Sequence, residues 1–170
     1  IGKGANASGG RGSVAIGDRS HAGGSFSTSI GYAADAFGYS AVGIGNLAAA
    51  NGDYSSALGR DSNAEGNRSV AIGYESNAIG NFSSALGFDS NAPGSNATAI
   101  GSNALATQAN TLALGSNSSA SANQSVAVGQ ASVAAANGAL AFGSQANASG
   151  DYSTASGYQA NASGNSAIAI

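Results

Sequence analysis

Ser69-Val70-Ala71-Ile72-Gly73-Tyr74-Glu75-Ser76-Asn77-Ala78-Ile79-Gly80-Asn81-Phe82 is a fourteen-residue stretch that closes on itself. Ser69 to Gly73 alternates small and large side chains, the period of a β-strand. Tyr74-Glu75 fits a two-residue turn, and Ser76 to Gly80 alternates again as a second strand. Asn81-Phe82 then turns the chain into a next copy. Five, two, five and two residues make fourteen, one turn of a coil with two short strands and two corners. Glycine at the strand ends tolerates positive φ, and Asn or Asp beside it suits tight turns.

The frame extends over the whole chain. Gly17, Gly31, Gly45, Gly59, Gly73, Gly87, Gly101, Gly115, Gly129, Gly143 and Gly157 recur every 14 residues. Gly2 begins the series one residue early, which places an insertion near Gly9, Gly10 and Gly12 in the first copy. Five residues after each glycine stands alanine, as at Ala22, Ala64, Ala78 and Ala162. Seven residues after it, most copies carry a second glycine, such as Gly52, Gly66, Gly80 and Gly94. Fixed periods of this length are the signature of a solenoid. The sequence therefore predicts an all-β protein. It is a parallel β-roll of about twelve 14-residue rungs with two short strands per rung. Residues 1–170 form one repeat array, cut from a longer one. At about 4.8 Å per rung the rod is roughly 55–60 Å long.

Alternation assigns the faces. The columns of Ser69, Ala71, Ser76 and Ala78 hold almost only Ser, Ala or Thr, so they face a narrow interior between two sheets. Val70 and Ile72 then point outward, with Ile16, Ile30, Ile44, Leu58, Leu86, Ile100, Leu114, Val126, Val128 and Phe142 along the same strand face. That ladder is too large an apolar patch to leave in water. Each such residue contributes about 1.5–3 kcal/mol when buried. The outer columns of the second strand carry Asn63, Asn77, Asn91, Asn147 and Asn161 beside Glu65, Pro93, Ser121 and Ser163, a polar face. One adhesive face and one wet face predict an obligate homo-oligomer packed through the aliphatic ladder, as a dimer or a trimer.

Composition narrows the function. Of 170 residues, 8% are charged, with 5 Lys and Arg against 8 Asp and Glu. Nucleic-acid binding needs clustered cations and is excluded as a reading. No residue between Asp89 and Asp151 is charged, and His21 is the only histidine. It reads as a lone turn residue, too isolated for a metal site, and no enzyme, catalytic residue, metal or cofactor is expected. The Asp-Gly-rich calcium repeat of toxin-type β-rolls is missing. Aligned Thr columns for ice binding are missing too, as is the catalytic His of three-sided acyltransferase coils. No run of about 20 apolar residues exists.

Eight of the eleven aromatics lie at the corners: Tyr32, Tyr74, Phe88 and Tyr158 at one, Phe26, Tyr54, Phe82 and Tyr152 at the other. Phe26, Tyr54 and Phe82 recur on every second rung. Tyr32, Tyr54, Tyr74, Phe82, Phe88 and Tyr152 are the candidate ligand-binding residues; packing at the corners is the competing role. Arg60, Asp61, Glu65, Arg68, Glu75 and Asp89 gather at the turns as a solvated rim.

The columns resemble the YadA-type head repeat of trimeric autotransporter adhesins, a unit close to N-S-V-A-I-G-x-x-S-x-A-x-G. It stands here as Gly12-Ser13-Val14-Ala15-Ile16-Gly17 with Ser20 and Ala22, and as Arg68-Ser69-Val70-Ala71-Ile72-Gly73 with Ser76, Ala78 and Gly80. It returns as Gln124-Ser125-Val126-Ala127-Val128-Gly129 with Ser132 and Ala134. The complete Asn-Ser-Val-Ala-Ile-Gly unit is absent; Asn96 and Asn110 hold the Asn position, but Ala97-Thr98 and Thr111-Leu112 follow. The resemblance implies a left-handed roll, a homotrimer, and a head held on a coiled-coil stalk at the bacterial cell surface. It also implies a C-terminal outer-membrane anchor outside this stretch. The function it implies is non-enzymatic adhesion in virulence, with a host extracellular-matrix protein or cell-surface receptor as partner. The charge-free stretch from Ser90 to Gly150 also suits the alternative, a stiff spacer that projects a binding tip located elsewhere.

Overall fold

The computed structural model describes all residues 1–170, and every regular element in it is a β-strand. Two parallel sheets run the length of the molecule. One has 12 strands, contributed by the first strand of each rung; the other has 11, contributed by the second. In the rung quoted above these are Val70–Ile72 and Asn77–Ala78. Each strand pairs with the equivalent strand one rung away, so Ser84 lies over Val70, Ala85 over Ala71 and Leu86 over Ile72.

The interior is built of the smallest side chains. Ala71, Ala85, Ala99 and Ala113 of the larger sheet and Ala64, Ala78, Ala92 and Ala106 of the smaller one are fully buried. Serine flanks them for a specific reason. The hydroxyls of Ser62, Ser76, Ser90 and Ser118 donate to the carbonyl oxygens of Gly59, Gly73, Gly87 and Gly115, three residues back, at 2.8–3.1 Å. Each bond closes a corner with a side chain small enough for the gap between the sheets.

Glycine has two separate roles. At Gly73 φ is +134°, and the equivalent glycines from Gly17 to Gly157 share that conformation. At Gly66 φ is not left-handed, yet a Cβ built there would lie 2.0 Å from the carbonyl oxygen of Gly80 on the next rung. The first column needs both the conformation and the space, since a Cβ at Gly73 would crowd the carbonyl oxygen of Gly87, and the second needs the space alone.

The left-handed backbone also extends beyond glycine, to the second residue of nearly every turn. Arg19, Tyr54, Asp61, Arg68, Glu75 and Phe82 lie at φ between +54° and +60°. Such residues cost on the order of 1–3 kcal/mol each, and the corner geometry repeated at every rung imposes them. The insertion in the first rung is equally local. Asn6 bridges His21 at an offset of 15 residues, whereas Val14 pairs with Thr28 at 14, so one extra residue is taken up between them, at the corner.

Candidate functional site

Two surfaces stand out on this scaffold. The first is the outer face of the larger sheet. Ile16, Ile30, Ile44, Leu58, Ile72, Leu86, Ile100, Leu114, Val128 and Phe142 stack in register over ten consecutive rungs. Val70 and Val126 lie in the column beside them. In the single chain Ile16, Ile44, Ile72, Leu114 and Phe142 remain 36–41% exposed. The coil thus covers about three-fifths or more of each residue and leaves the outward part uncovered.

The second surface is the pair of corners. Tyr32, Tyr74 and Phe88 lie at one, and Tyr54, Phe82 and Tyr152 at the other, all exposed. The structure joins some of them into clusters. Tyr74 and Phe88 stack with ring centroids 5.5 Å apart, and the Arg60 guanidinium lies 5.4 Å from the Tyr74 ring. Arg19 lies 4.6 Å over Tyr32. At the opposite corner Arg68 sits between Tyr54 and Phe82, at 5.8 and 5.5 Å. Tyr152 belongs to no aromatic pair.

Sequence columns alone miss Tyr39, a ninth corner aromatic. It stands one position earlier in its turn than Phe26 and Tyr54, so a search at fixed spacing passes over it. The left-handed turn brings its ring between theirs, edge-on at 5.6 and 5.4 Å. The signal available in the sequence is simply an aromatic adjacent to the column. The same corner is braced by side chains of the first turn position. Backbone N–H groups of Tyr39, Asp53 and Asn67 donate to Asp53 Oδ1, Asn67 Oδ1 and Asn81 Oδ1 one rung on, at 2.8, 3.0 and 2.9 Å.

The rim charges pair within the chain where they pair at all. Arg60 Nε lies 3.0 Å from Asp61 and Arg19 Nε 3.6 Å from Asp18, both exposed and worth at most about 1 kcal/mol. Arg68 has no carboxylate partner.

His21 is not a turn residue. It opens the strand His21–Ala22, pairs with Asp35 in the next rung, and packs edge-on against Phe37 with centroids 4.8 Å apart. Its Nε2 is 3.0 Å from Ser8 Oγ. Burial pushes the Asp35 carboxyl above its ordinary value near 3.8, and the neighbouring His21 charge pulls it back in part. A carboxyl whose pKa is raised by folding carries no cost while protonated. Its cost appears as pH rises through 3.8 and is complete above the raised value. Asp35→Asn is therefore expected to raise Tm at pH 7 and to leave it unchanged at pH 3, measured by circular dichroism.

Known proteins share this repeat. The family description "YadA head domain repeat (2 copies)" matches in ten windows, at 9–34 and 36–62 and then in 14-residue steps from 50–76 to 148–170. Among solved structures, the chain is similar to the collagen-binding domain of the Yersinia adhesin YadA, with 28% identity and a TM-score of 0.45. That alignment covers 85% of this chain and 65% of the other, so the chain spans just under two thirds of that domain's length. No curated protein matches it.

Proposed function

The chain belongs to the YadA head-repeat family, and from that membership we propose that it is a non-enzymatic attachment head of a trimeric bacterial surface adhesin. Residues 1–170 act in this reading as a single repeat array. The observation that carries the reading is the aliphatic ladder from Ile16 to Phe142. Five of the ten stacked side chains keep 36–41% of their surface bare and the other five stay partly exposed, and packing against two further copies would bury roughly 1 kcal/mol more at each of the most exposed. Three chains around one axis turn three such faces inward and leave the polar faces and corners outward. The exposed corner aromatics Tyr32, Tyr74 and Phe88, with Tyr54, Phe82 and Tyr152, are the proposed attachment surface. The partner is a host extracellular-matrix protein or cell-surface receptor; the related Yersinia domain is described as collagen-binding. An outer-membrane anchor elsewhere in the parent protein would hold the head at the cell surface.

Sedimentation equilibrium tests the assembly. The expected result is a β-rich particle of three times 16.0 kDa that binds to surfaces coated with matrix protein or to host cells. A folded monomer overturns the proposal. A trimer that attaches to neither surface supports the second reading, a stiff spacer, which the charge-free stretch from Ser90 to Gly150 favours.

A further inference from the structure

At the corner joining each second strand to the next rung, the second turn position is occupied in order by Phe26, Ser40, Tyr54, Arg68 and Phe82. All five have φ between +52° and +60°. The shared conformation sends their side chains out of the corner in a common direction, so a ring recurs on alternate rungs. With rungs about 4.8 Å apart, the rings repeat at about 9.6 Å. The gaps between them differ. Ser40 leaves the first gap low, and the Tyr39 ring lies between Phe26 and Tyr54. Arg68 occupies the second, its guanidinium shared by Tyr54 and Phe82. Beside it is a hollow of about 210 Å³ lined by Asp53, Tyr54, Asn67, Arg68, Asn81 and Phe82.

These spacings select the conformation of an occupant. A polyproline II helix returns to the same face every third residue, at about 9.3 Å. Over the three rings the mismatch accumulates to about 0.6 Å, within the play of exposed side chains. An extended β-strand repeats on one face at about 6.8 Å and falls out of step by the second ring. An α-helix, at about 5.4 Å per turn, drifts by about 1.2 Å for each ring passed. The polar groups agree with the spacing. Polyproline II has no internal hydrogen bonds and presents free carbonyl oxygens. Asn67 and Asn81 use Oδ1 to brace the backbone, which leaves their Nδ2 amides as donors beside the rings. Arg68 forms no ion pair within the chain, and the Asp53 carboxylate that lines the same hollow is held by the Tyr39 N–H.

We propose that the corner from Phe26 to Phe82 docks a single proline-rich segment in the polyproline II conformation, with prolines three residues apart on the rings and an acidic side chain against Arg68. Aromatic grooves take such segments because the ligand is already ordered before it binds. The inference rests on the attachment reading and specifies the chemistry of the partner.

The test uses the assembled protein and a fluorescent nonapeptide, Pro-Pro-Pro-Pro-Glu-Pro-Pro-Pro-Pro, beside its all-proline counterpart. Neither contains glycine, so neither forms a triple helix. Anisotropy titration is expected to give saturable binding, tighter for the Glu peptide and weakened by salt. Phe82→Ala should weaken both peptides about tenfold. Arg68→Gln should weaken the Glu peptide about three- to tenfold and leave the all-proline peptide unchanged. Circular dichroism melting and sedimentation of both variants accompany the titrations. Absence of peptide binding overturns the proposal, as does an Arg68→Gln effect equal for both peptides. Binding of a uronic-acid oligosaccharide in place of the peptides reassigns the corner to sugars and also overturns it. A fall in mass for Phe82→Ala would place the corner at a subunit boundary and overturn it as well. If both variants attach to matrix or cells undiminished, this inference fails while the attachment reading stands. If the protein binds the peptide but attaches to nothing, the reverse holds.

Discussion

Ile72→Asp is expected to separate the subunits of the proposed trimer and to unfold them in one step. Ile72 lies mid-ladder, between Leu58 and Leu86, with 41% of its surface bare in the single chain. Replacing it removes about 1.5–3 kcal/mol of burial per subunit. It also brings like carboxylates together at the proposed axis, where desolvating each costs several kcal/mol more. The sum, at least about 5 kcal/mol per subunit, is a large share of a domain's total stability. Sedimentation should show the 16.0 kDa chain alone, and circular dichroism should show loss of the β signal at the same temperature. Ser121→Asp, on the exposed outer face of the other sheet, should change neither mass nor melting. If Ile72→Asp instead remains folded and trimeric, the ladder is not the surface that joins the chains.

Gly73→Ala is the second large effect, and it comes from within a single coil. The new methyl carbon would stand 2.4 Å from the carbonyl oxygen of Gly87, on a backbone at φ +134°. Rungs held in register by their own hydrogen bonds cannot part locally, so the strain reaches the rungs on either side. The expected loss is about 3–5 kcal/mol, or about 10 °C in Tm. Gly66→Ala tests the space alone. Its φ is not left-handed, but the added carbon would lie 2.0 Å from the carbonyl oxygen of Gly80. That variant carries the steric cost without the conformational one, about 2–3 kcal/mol, and should melt about 7 °C below the parent. An unchanged Tm would mean that space on the next rung plays no part.

Much of this architecture is legible in the residues because each restriction is repeated at every rung. Ala78 alone says little, whereas alanine at its equivalents throughout the array admits only a narrow interior. The same repetition places Ile72 and its equivalents on the outside. What escapes is whatever the repeat does not constrain by size. The left-handed turn residues include Arg19, Ala33, Leu47, Tyr54 and Phe82. Their side chains point away from the coil, so many residue types fit and composition gives no signal. Tyr39 escapes because a ring one position out of column reaches the same place after the turn. His21 reads as a turn residue because position in the first rung, beside the inserted residue, is harder to count than later in the array. The contact of Arg68 with Tyr54 and Phe82 depends on side-chain reach across a corner, which spacing along one strand does not describe.

The register of the sheets also bears on how such a protein changes over generations. Each rung meets only the rungs above and below it, through columns that are nearly the same everywhere. Gain or loss of fourteen codons therefore adds or removes one whole rung and returns every later residue to an equivalent neighbour. A change of one codon within a strand would exchange the inner and outer faces, whereas the extra residue of the first rung is absorbed at a corner. Exchange between repeats aligned in this frame would then alter the length of the rod in steps of about 4.8 Å. The ladder, the interior and the corner geometry are inherited intact at each step.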